Sequence, residues 1–173
     1  MGKLVVMKDA HAGVVKNIKN ATGNRGCVML GKRRLPLVTG EDRNVRVINE
    51  FRENGGIVGG DFEGSPLLLL TTVGLRSGRM ITKPLMYLGD GTRFIVFASK
   101  AGAPNNPSWY NNLVVNSSVR VEVGNEAFDA NAQTLLGAER DVLYARQVAL
   151  FPRFGDYQLK TDRIIPVVAI TST

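Results

Sequence analysis

The pattern of apolar and polar positions predicts a series of short strands with a few short helices between them. Strands are predicted where apolar residues run together or alternate with polar ones, at 65–73, 80–88, 93–98, 119–123, 126–136 and 164–171. Helices are predicted where apolar residues recur at spacings of three or four, at 44–54, 107–115 and 139–151. Because most strands are joined by hairpin turns, this order predicts an α+β fold built on a closed or nearly closed antiparallel barrel.

Local signals refine this outline at three places. Pro84 interrupts the second strand, and because proline cannot donate to a sheet ladder it predicts an edge or bulge position. Asn106 and Pro107 are predicted to be the N-cap and first residue of the second helix. Pro152 is predicted to end the third helix, whose inner face is predicted to be Val142, Ala145, Val148 and Ala149.

The turn TTVGLRSGR at 71–79 concentrates groups that bind anions. The guanidinium forks of Arg76 and Arg79 match phosphate or carboxylate in bidentate fashion, and Gly78 lets backbone N–H groups approach an anion. Lys83 follows Arg79 by four residues in the next strand, and an even spacing places both side chains on one face. The turn therefore predicts an anion site, although a solvated basic hairpin has the same pattern.

A second turn, ASKAGAPNNPSWYNNL at 98–113, leads into a predicted helix. Free N–H groups at a helix N-terminus attract anions, and Ser99 and Lys100 lie in the loop before it. Trp109 and Tyr110 follow in the first turn of the helix. Trp109 is predicted either to cap the barrel as a core aromatic or to form the wall of a ligand site, and these two interpretations are compatible. Together the two turns suit a long, anionic, aromatic ligand lying across the sheet.

The net charge of +7 is concentrated in the first quarter of the chain. Residues 1–43 hold nine Lys and Arg against three Asp and Glu, whereas residues 44–173 hold thirteen against twelve. We therefore expect 1–43 to be a solvated, disordered or non-native leader and 44–173 to be the folded domain. The folded part has no basic stripe interleaved with aromatics, which argues against nucleic-acid binding. Contact with an anionic membrane surface stays open.

The lone cysteine and the lone histidine, Cys27 and His11, both lie in this leader. The predicted domain therefore has no thiol nucleophile, no imidazole base and no His/Cys metal site. A chain with one cysteine forms no internal disulfide, which fits a reducing cytoplasm. Any redox chemistry must then be carried by a bound cofactor that the protein holds and orients.

Three motifs follow one another in the sequence: TTVGLRSG from Thr71, ASKAGAPNNPSWYNNL from Ala98 and FPRFGDYQLKTDRIIPVV from Phe151. In this order and spacing they resemble the deazaflavin-dependent nitroreductase and quinone reductase family, whose members use coenzyme F420 in place of a flavin or nicotinamide. The resemblance runs from about Asn44 to Thr171. It implies a split β-barrel of the FMN-binding type, with about six antiparallel strands and short flanking helices.

The resemblance also implies which residues hold the cofactor. It assigns the phosphate and acidic tail to the first turn and the strand after it, at Arg76, Ser77, Gly78, Arg79 and Lys83. It assigns further phosphate and ring-system contacts to Pro84, Leu85, Met86, Phe97, Ala98, Ser99, Lys100, Trp109, Tyr110, Asn111 and Asn112. The reaction it implies is hydride transfer from reduced F420 to a flat, electron-poor quinone, enone or nitroaromatic.

The aromatic residues Phe151, Phe154 and Tyr157 recur at spacings of three around Pro152. By themselves they predict an apolar plug, whereas the resemblance implies that they line the substrate pocket together with Met86. Two phenylalanines make that pocket apolar, which favours quinones or enones over nitro compounds. The proton that completes the reaction is expected from Tyr157, Ser99 or water. Asp162 and Arg163 are expected to form a structural cap or an ion pair.

Two other functions stay open at the level of sequence. The same barrel could bind FMN in a reductase or oxidase, or bind the deazaflavin as a carrier without turnover. A structural domain in which both turns are accidental is a further alternative. We expect a small-molecule acceptor, a monomer or homodimer, and a cytoplasmic location with possible contact to a membrane surface.

Overall fold

The computed structural model describes residues 40–173, so the expectations for the leader, including His11 and Cys27, lie outside the described residues. The helices are α1 (Gly40–Glu53), α2 (Ser108–Val115), α3 (Gly137–Leu150) and α4 (Arg153–Leu159). The strands are β1 (Leu67–Val73), β2 (Met80–Asp90), β3 (Arg93–Phe97), β4 (Ser118–Val123), β5 (Glu126–Leu135) and β6 (Val167–Ser172). Short 3-10 turns lie at Gly60–Phe62 and Lys100–Gly102.

The six strands form a closed barrel in the order β1-β2-β3-β6-β5-β4. Every neighbouring pair is antiparallel. This confirms the predicted α+β fold with an antiparallel barrel of about six strands and short flanking helices. Closure removes exposed sheet edges over most of the circumference, and this disfavours association of chains edge to edge.

Alternation along the strands separates two apolar cores. Inward-facing residues from the strands, such as Leu68, Val96 and Ile170, fill the barrel, and Trp109 and Leu113 of α2 close one end. Outward-facing residues form the second core under α1, α3 and α4, with the buried members Phe51, Leu69, Ile95, Phe97, Leu143, Tyr144, Phe154 and Val167. Residues two apart share a face of a strand, so one strand supplies both cores. The helices are thereby held against defined strands.

The barrel is split beside β2. β2 pairs with β1 over Met80–Met86 but with β3 only over Tyr87–Asp90. The Tyr87 N–H donates to the Pro66 carbonyl at 3.2 Å, and backbone groups of successive residues in such a ladder point in opposite directions. Pro84, three residues earlier, therefore turns its nitrogen toward the unpaired edge. This confirms the predicted edge position and explains why a residue without an N–H is tolerated there.

Four sequence predictions need correction. The inner face of α3 consists of Leu143, Tyr144 and Gln147, with Val148 partly buried against the same core. The predicted face was right for Val148 and wrong for Val142, Ala145 and Ala149, which are exposed. The segment after Pro152 forms α4, which was not predicted although Phe151, Phe154 and Tyr157 recur at a helical spacing of three. The first helix begins at Gly40 instead of Asn44, and the last strand begins at Val167 instead of Ile164.

The start of α2 also differs from the prediction. Pro107 is the N-cap and Ser108 the first helical residue. Asn106 makes no capping hydrogen bond, because its side-chain oxygen accepts from Arg163 at 2.8 Å. None of the helices in residues 40–173 is long and apolar enough to cross a membrane.

Candidate active site

A cleft opens along the unpaired edge of β2, at the split in the barrel. One wall is Lys83–Met86 of β2, and the opposite wall is the segment from Phe97 to Trp109. We call this cleft of about 410 Å³ the aromatic cavity; its lining residues are Arg43, Asn44, Asp61, Phe62, Lys83, Pro84, Leu85, Met86, Phe97, Ser99, Lys100, Ala101, Pro107, Trp109, Arg153, Phe154 and Tyr157. Pro84 and Met86 direct backbone groups to this edge. The wall therefore presents the Pro84 carbonyl and the Met86 N–H to the cleft, as well as side chains.

A second cleft of about 950 Å³ adjoins the aromatic cavity, and we call it the basic cleft. The two share Arg43, Asn44, Phe62, Lys83, Lys100 and Ala101. The basic cleft alone is lined by the β1–β2 turn and its surroundings, at Ser77, Arg79, Met80, Ile81 and Ser108. The aromatic cavity alone is lined by α4. The two clefts therefore form one groove with a basic end and an aromatic end.

The charges along this groove are unbalanced. Arg43 pairs with Asp61 and lies over the Phe62 ring, with 5.8 Å from its guanidinium carbon to the ring centroid. Arg79, Lys83, Lys100 and Arg153 have no carboxylate partner among the described residues. Cations gathered in a cleft attract an anion more strongly than the same cations spread over a surface. The groove is therefore built to receive an anionic ligand.

The loop that separates the two clefts has an unusual backbone. Lys100 and Ala101 have φ angles of 46° and 53°, in the left-handed region that costs about 1–3 kcal/mol for a residue with a Cβ. Gly102 follows with φ at 81°, and a Cβ there would lie 2.7 Å from the Tyr157 carbonyl oxygen. The glycine thus allows α4 to pack against the loop, and Lys100 is turned toward both clefts.

Arg163 holds this loop in place. Its guanidinium donates to the carbonyls of Ala98, Ser99 and Ala103 at 3.0, 2.8 and 2.9 Å, and to the side chain of Asn106. Burial lowers the pKa of Arg163, but an arginine remains charged at neutral pH. The expectation of a structural role for Arg163 agrees with these bonds, whereas no ion pair joins it to Asp162 in the described part of the chain.

Helix α4 is fixed from the other side by α3. Burial raises the pKa of the Tyr144 hydroxyl, which stays protonated and donates to the Phe154 carbonyl at 2.7 Å. Phe154 packs edge-on against Phe97, with ring centroids 5.5 Å apart, and against Tyr157 at 5.4 Å. These contacts place the Tyr157 side chain in the aromatic cavity without burying it completely.

The structure brings most of the site residues predicted from sequence to this groove. Those that line it are Ser77, Arg79, Lys83, Pro84, Leu85, Met86, Phe97, Ser99, Lys100, Trp109, Phe154 and Tyr157. Trp109 has both predicted roles, since it is 5% exposed in the barrel core and also lines the cavity.

The other predicted site residues lie beside the groove. Arg76, Gly78 and Asn111 are exposed and line neither cleft; Ala98, Tyr110 and Phe151 pack into or against the apolar cores. Asn112 is buried, donates to the Thr72 hydroxyl and accepts from the Leu75 N–H, both at 3.0 Å. It therefore ties α2 to the β1–β2 turn. A direct part of the other residues in binding stays a prediction.

Several lining residues were not identified from the sequence. Arg43, Phe62 and Arg153 come from α1, from the turn before β1 and from α4. Arg43 and Phe62 lie outside the sequence motifs, and tertiary packing alone brings them to the groove. Arg153 does have a local signal, because it lies inside the FPRFGDY motif next to predicted substrate residues.

The chemistry available in the groove is binding and orientation. Residues 40–173 contain no histidine or cysteine, and no group of acidic residues among them could hold a metal ion. The hydroxyls of Ser99 and Tyr157 line the cavity near its aromatic walls and are able to hand over a proton. Redox chemistry in such a site is the work of a bound organic cofactor.

Comparison with known families gives this arrangement its context. The model of the F420H(2)-dependent quinone reductase family matches residues 44–172. The chain belongs to this family. The match covers the whole barrel and every residue of the groove except Arg43.

Similarity to individual proteins agrees with membership of the F420H(2)-dependent quinone reductase family. The chain is 35% identical over 127 residues to the F420H(2)-dependent quinone reductase of Mycobacterium tuberculosis (strain ATCC 25618 / H37Rv), covering 70% of this chain and 84% of the relative. It is similar to the solved structure of the F420-H2 dependent reductase FDR-A, at 39% identity and a TM-score of 0.56, over 61% of this chain and 93% of that one. A second solved structure, described as a domain-swapped dimer, is 35% identical with a TM-score of 0.58, over 73% and 92% of the two chains.

The groove fits the cofactor that the family's description names. F420 combines a flat deazaflavin ring with a phosphate and an acidic tail. The aromatic cavity offers flat apolar walls, and the basic cleft offers ammonium, guanidinium and hydroxyl donors at Ser77, Arg79, Lys83, Lys100 and Ser108. Among the described residues, Asp61 is the one carboxylate that lines either cleft, and it is already paired with Arg43.

Proposed function

We propose that this chain is an oxidoreductase that transfers a hydride from reduced F420 to a quinone. The observation that carries this proposal is the single groove with a basic end and an aromatic end, in a chain whose family is defined by this reaction. When bound, the deazaflavin supplies the hydride from the ring carbon that replaces flavin N5. The protein supplies position, a dry apolar surface and a proton.

The cofactor's anionic part lies in the basic cleft in this proposal. Arg79 and Lys83 face the phosphate or acidic tail, and Lys100 lies where the two clefts meet. Charge-assisted hydrogen bonds to phosphate and carboxylate are about twice as strong as neutral ones. The flat ring then occupies the aromatic cavity between the β2 edge and Phe97 and Trp109, where the Met86 N–H points to the edge of β2 that β3 leaves unpaired and can donate to the ring's polar rim.

The acceptor stacks on the exposed face of the ring, against Phe154 and Tyr157. Both come from α4, whose position is set by Tyr144 and Gly102. Apolar walls of this kind select flat molecules by area and shape, which favours quinones. Tyr157, Ser99 or solvent provides the proton that completes the reduced acceptor. Reduction of nitroaromatics and of enones remains a prediction from sequence, and so does a cytoplasmic location.

A cofactor titration tests the proposal directly. Trp109, the one tryptophan of the chain, lines the aromatic cavity and reports binding through its fluorescence. We expect F420 to quench it with a lower dissociation constant than FMN, because FMN lacks the acidic tail. Mixing reduced F420, protein and a naphthoquinone should then give quinone-dependent oxidation. Preferential binding of FMN would establish the flavoprotein alternative, and F420 binding without turnover would establish a carrier.

The oligomeric state follows from a separate measurement. One similar structure is described as a domain-swapped dimer, and we propose a monomer or homodimer for this chain. Light scattering coupled to size-exclusion chromatography distinguishes the two. Full catalytic turnover by a monomer would show that the groove is complete within one chain.

A further inference from the structure

Arg153 is an arginine in the aromatic cavity for which the binding of F420 provides no role. It is the first residue of α4, and it is followed one helical turn later by Tyr157. Residues four apart lie on the same face of a helix, and both line the cavity together with Phe154. Arg153, which is half-buried, therefore lines the same cavity as the proposed proton donor and from the same face of α4.

The surroundings of Arg153 contain no anion. Its guanidinium lies against the Met86 sulfur, across the cavity, and 5.9 Å from the centroid of the Phe151 ring. A thioether is a weak acceptor, so most of the five N–H donors stay available. No carboxylate of the described residues lies within salt-bridge distance. A partly desolvated charge without a partner is costly, which indicates a ligand that brings the opposite charge.

Other arginines show that this situation is uncommon in the described part of the chain. Six of them, Arg43, Arg52, Arg93, Arg120, Arg140 and Arg146, pair with a carboxylate. Arg163 donates to four oxygens of the neighbouring loop. The remaining ones, Arg46, Arg76 and Arg79, are exposed to solvent. Arg153 alone combines partial burial, a place in the aromatic cavity and no oxygen partner among these residues.

The position of Arg153 in the groove indicates which anion it meets. Lys83, Lys100 and Arg43 line both clefts, so they face the cofactor's phosphate and tail. Arg153 lines the aromatic cavity and not the basic cleft. It therefore lines the part of the groove that does not include the turn carrying Arg79, among residues that face the acceptor in the proposed function.

We propose that Arg153 binds the oxygen of the acceptor that becomes negatively charged during hydride transfer. The proposal rests on the proposed function. The cofactor is oxidised by loss of a hydride, and the quinone gains that hydrogen and two electrons to become a hydroquinone monoanion. One proton from Tyr157, Ser99 or solvent then gives the neutral hydroquinone. A fixed guanidinium at the developing oxyanion stabilises the transition state more than the neutral quinone.

The test compares a neutral and an anionic ligand of the same shape. 1,4-Naphthoquinone is neutral, whereas 2-hydroxy-1,4-naphthoquinone is an anion at neutral pH and resembles the charged product. Their dissociation constants are measured on the protein loaded with oxidised F420, by Trp109 fluorescence and calorimetry. We expect the unmodified protein to bind the anion at least about tenfold more tightly. Arg153→Met should abolish that preference, and Arg153→Lys should keep part of it.

Kinetics and controls complete the test. Single-turnover oxidation of the reduced complex by 1,4-naphthoquinone should slow by about 100-fold in Arg153→Met, the usual effect of losing an oxyanion donor. Arg46 is an exposed arginine of α1 that lines neither cleft, so Arg46→Met should change neither the anion preference nor the single-turnover rate. Circular dichroism and the F420 dissociation constant show whether each variant is folded, and Arg153→Lys supplies the comparison if the methionine variant is not.

Two results would overturn the proposal for Arg153. One is an unmodified protein without preference for the anion, or an Arg153→Met variant that retains it. The other is a large rise in the F420 dissociation constant of Arg153→Met with the anion preference intact, which would assign Arg153 to the cofactor. Failure of the unmodified protein to bind F420 or to reduce quinones would instead contradict the proposed function, and that outcome is read before any variant is made.

Discussion

Arg163 is the residue whose hydrogen bonds are most concentrated on the wall of the groove. It satisfies the carbonyls of Ala98, Ser99 and Ala103 together with Asn106, and the strained backbone at Lys100 lies between them in sequence. A conformation that costs free energy persists only when its surroundings hold it. The position of Lys100, which lines both clefts, therefore depends on a side chain about sixty residues away.

Arg163→Met should weaken cofactor binding through this loop. We expect the F420 dissociation constant to rise at least about tenfold, about 1.4 kcal/mol, together with a lower melting temperature. Arg140→Met is the matched control, because Arg140 also donates to a backbone carbonyl, that of Ile165 at 2.7 Å, but makes no hydrogen bond to the loop at 98–103. It should lower the melting temperature and leave the dissociation constant unchanged. Equal effects of both variants on binding would show that Arg163 acts through global stability.

Tyr157→Phe tests the proposed proton donor at the same scale. Loss of a general acid typically slows a reaction by about 100-fold or more, so we expect kcat to fall while the F420 dissociation constant stays constant. Tyr87→Phe serves as the control, since Tyr87 packs edge-on against Phe94 in the barrel at 5.3 Å and lines neither cleft. Full turnover by Tyr157→Phe would leave Ser99 or solvent as the source, and Ser99→Ala would then distinguish these two.

Residues of the site differ in how far sequence alone could identify them. Lys83, Ser99 and Trp109 lie in contiguous motifs of glycine, basic and aromatic residues, and their chemistry is visible locally. Phe62 and Arg43 have no such neighbours in the sequence. They reach the groove only because α1 and the turn before β1 pack onto the barrel. Asn112 shows the converse, since a polar residue inside a motif serves an internal hydrogen bond.

At the scale of the elements, strands were easier to predict than helices. Alternation along β4 and β5 reports directly which side chains enter the barrel. Helix α3 rests on the barrel through a narrow stripe that includes Gln147, a polar residue with no exposed surface. Helix α4 has seven residues and owes its place to Tyr144 and Gly102. Contacts from distant residues decide these helices, and local periodicity carries no record of them.

The attachment of α3 to the β2–β3 hairpin should depend on pH. Asp90 accepts hydrogen bonds from Arg146 at 2.8 Å and from Arg93 at 2.5 Å, and Arg93 also bonds Glu139 of α3. The hydrogen bonds from Arg146 and then Arg93 lower the pKa of Asp90. A carboxylate with a lowered folded-state pKa stabilises the fold above its unfolded value of about 3.9. That stabilisation is lost as the pH falls through the folded-state pKa.

Asp90→Asn measures this contribution. We expect a lower melting temperature than the unmodified protein at about pH 7, and a smaller difference at about pH 3, which is closer to the lowered folded-state pKa of Asp90. Asp129→Asn is the control, because Asp129 is 77% exposed and pairs with Arg120 alone. A difference that is the same at both pH values would show that Asp90 acts by shape and hydrogen bonding without its charge.

Seen as a whole molecule, the barrel places an anion-binding turn and an aromatic pocket on one continuous groove. The split beside β2 is what connects them, since a β2 paired to β3 along its whole length would close the space that Lys83 and Met86 now line. Sequence motifs identified both ends of this groove. Their connection required the register of β2 against β1 and β3, which is set by pairing between residues far apart in the chain.

The last prediction concerns the charge at the basic end. If Arg79 and Lys83 hold the acidic tail, the double variant Arg79→Ala with Lys83→Ala should raise the F420 dissociation constant at least about tenfold, about 1.4 kcal/mol. Its binding should also depend less on ionic strength, because screening acts on the lost pairs. A form of the cofactor without the tail should bind both proteins equally, which separates tail contacts from ring contacts. Arg76→Ala decides whether Arg76, exposed on the turn beside the basic cleft, contributes as the sequence predicts. Unchanged affinity and salt dependence in the double variant would show that Arg79 and Lys83 do not hold the tail, and Lys100→Ala would be the next variant to measure.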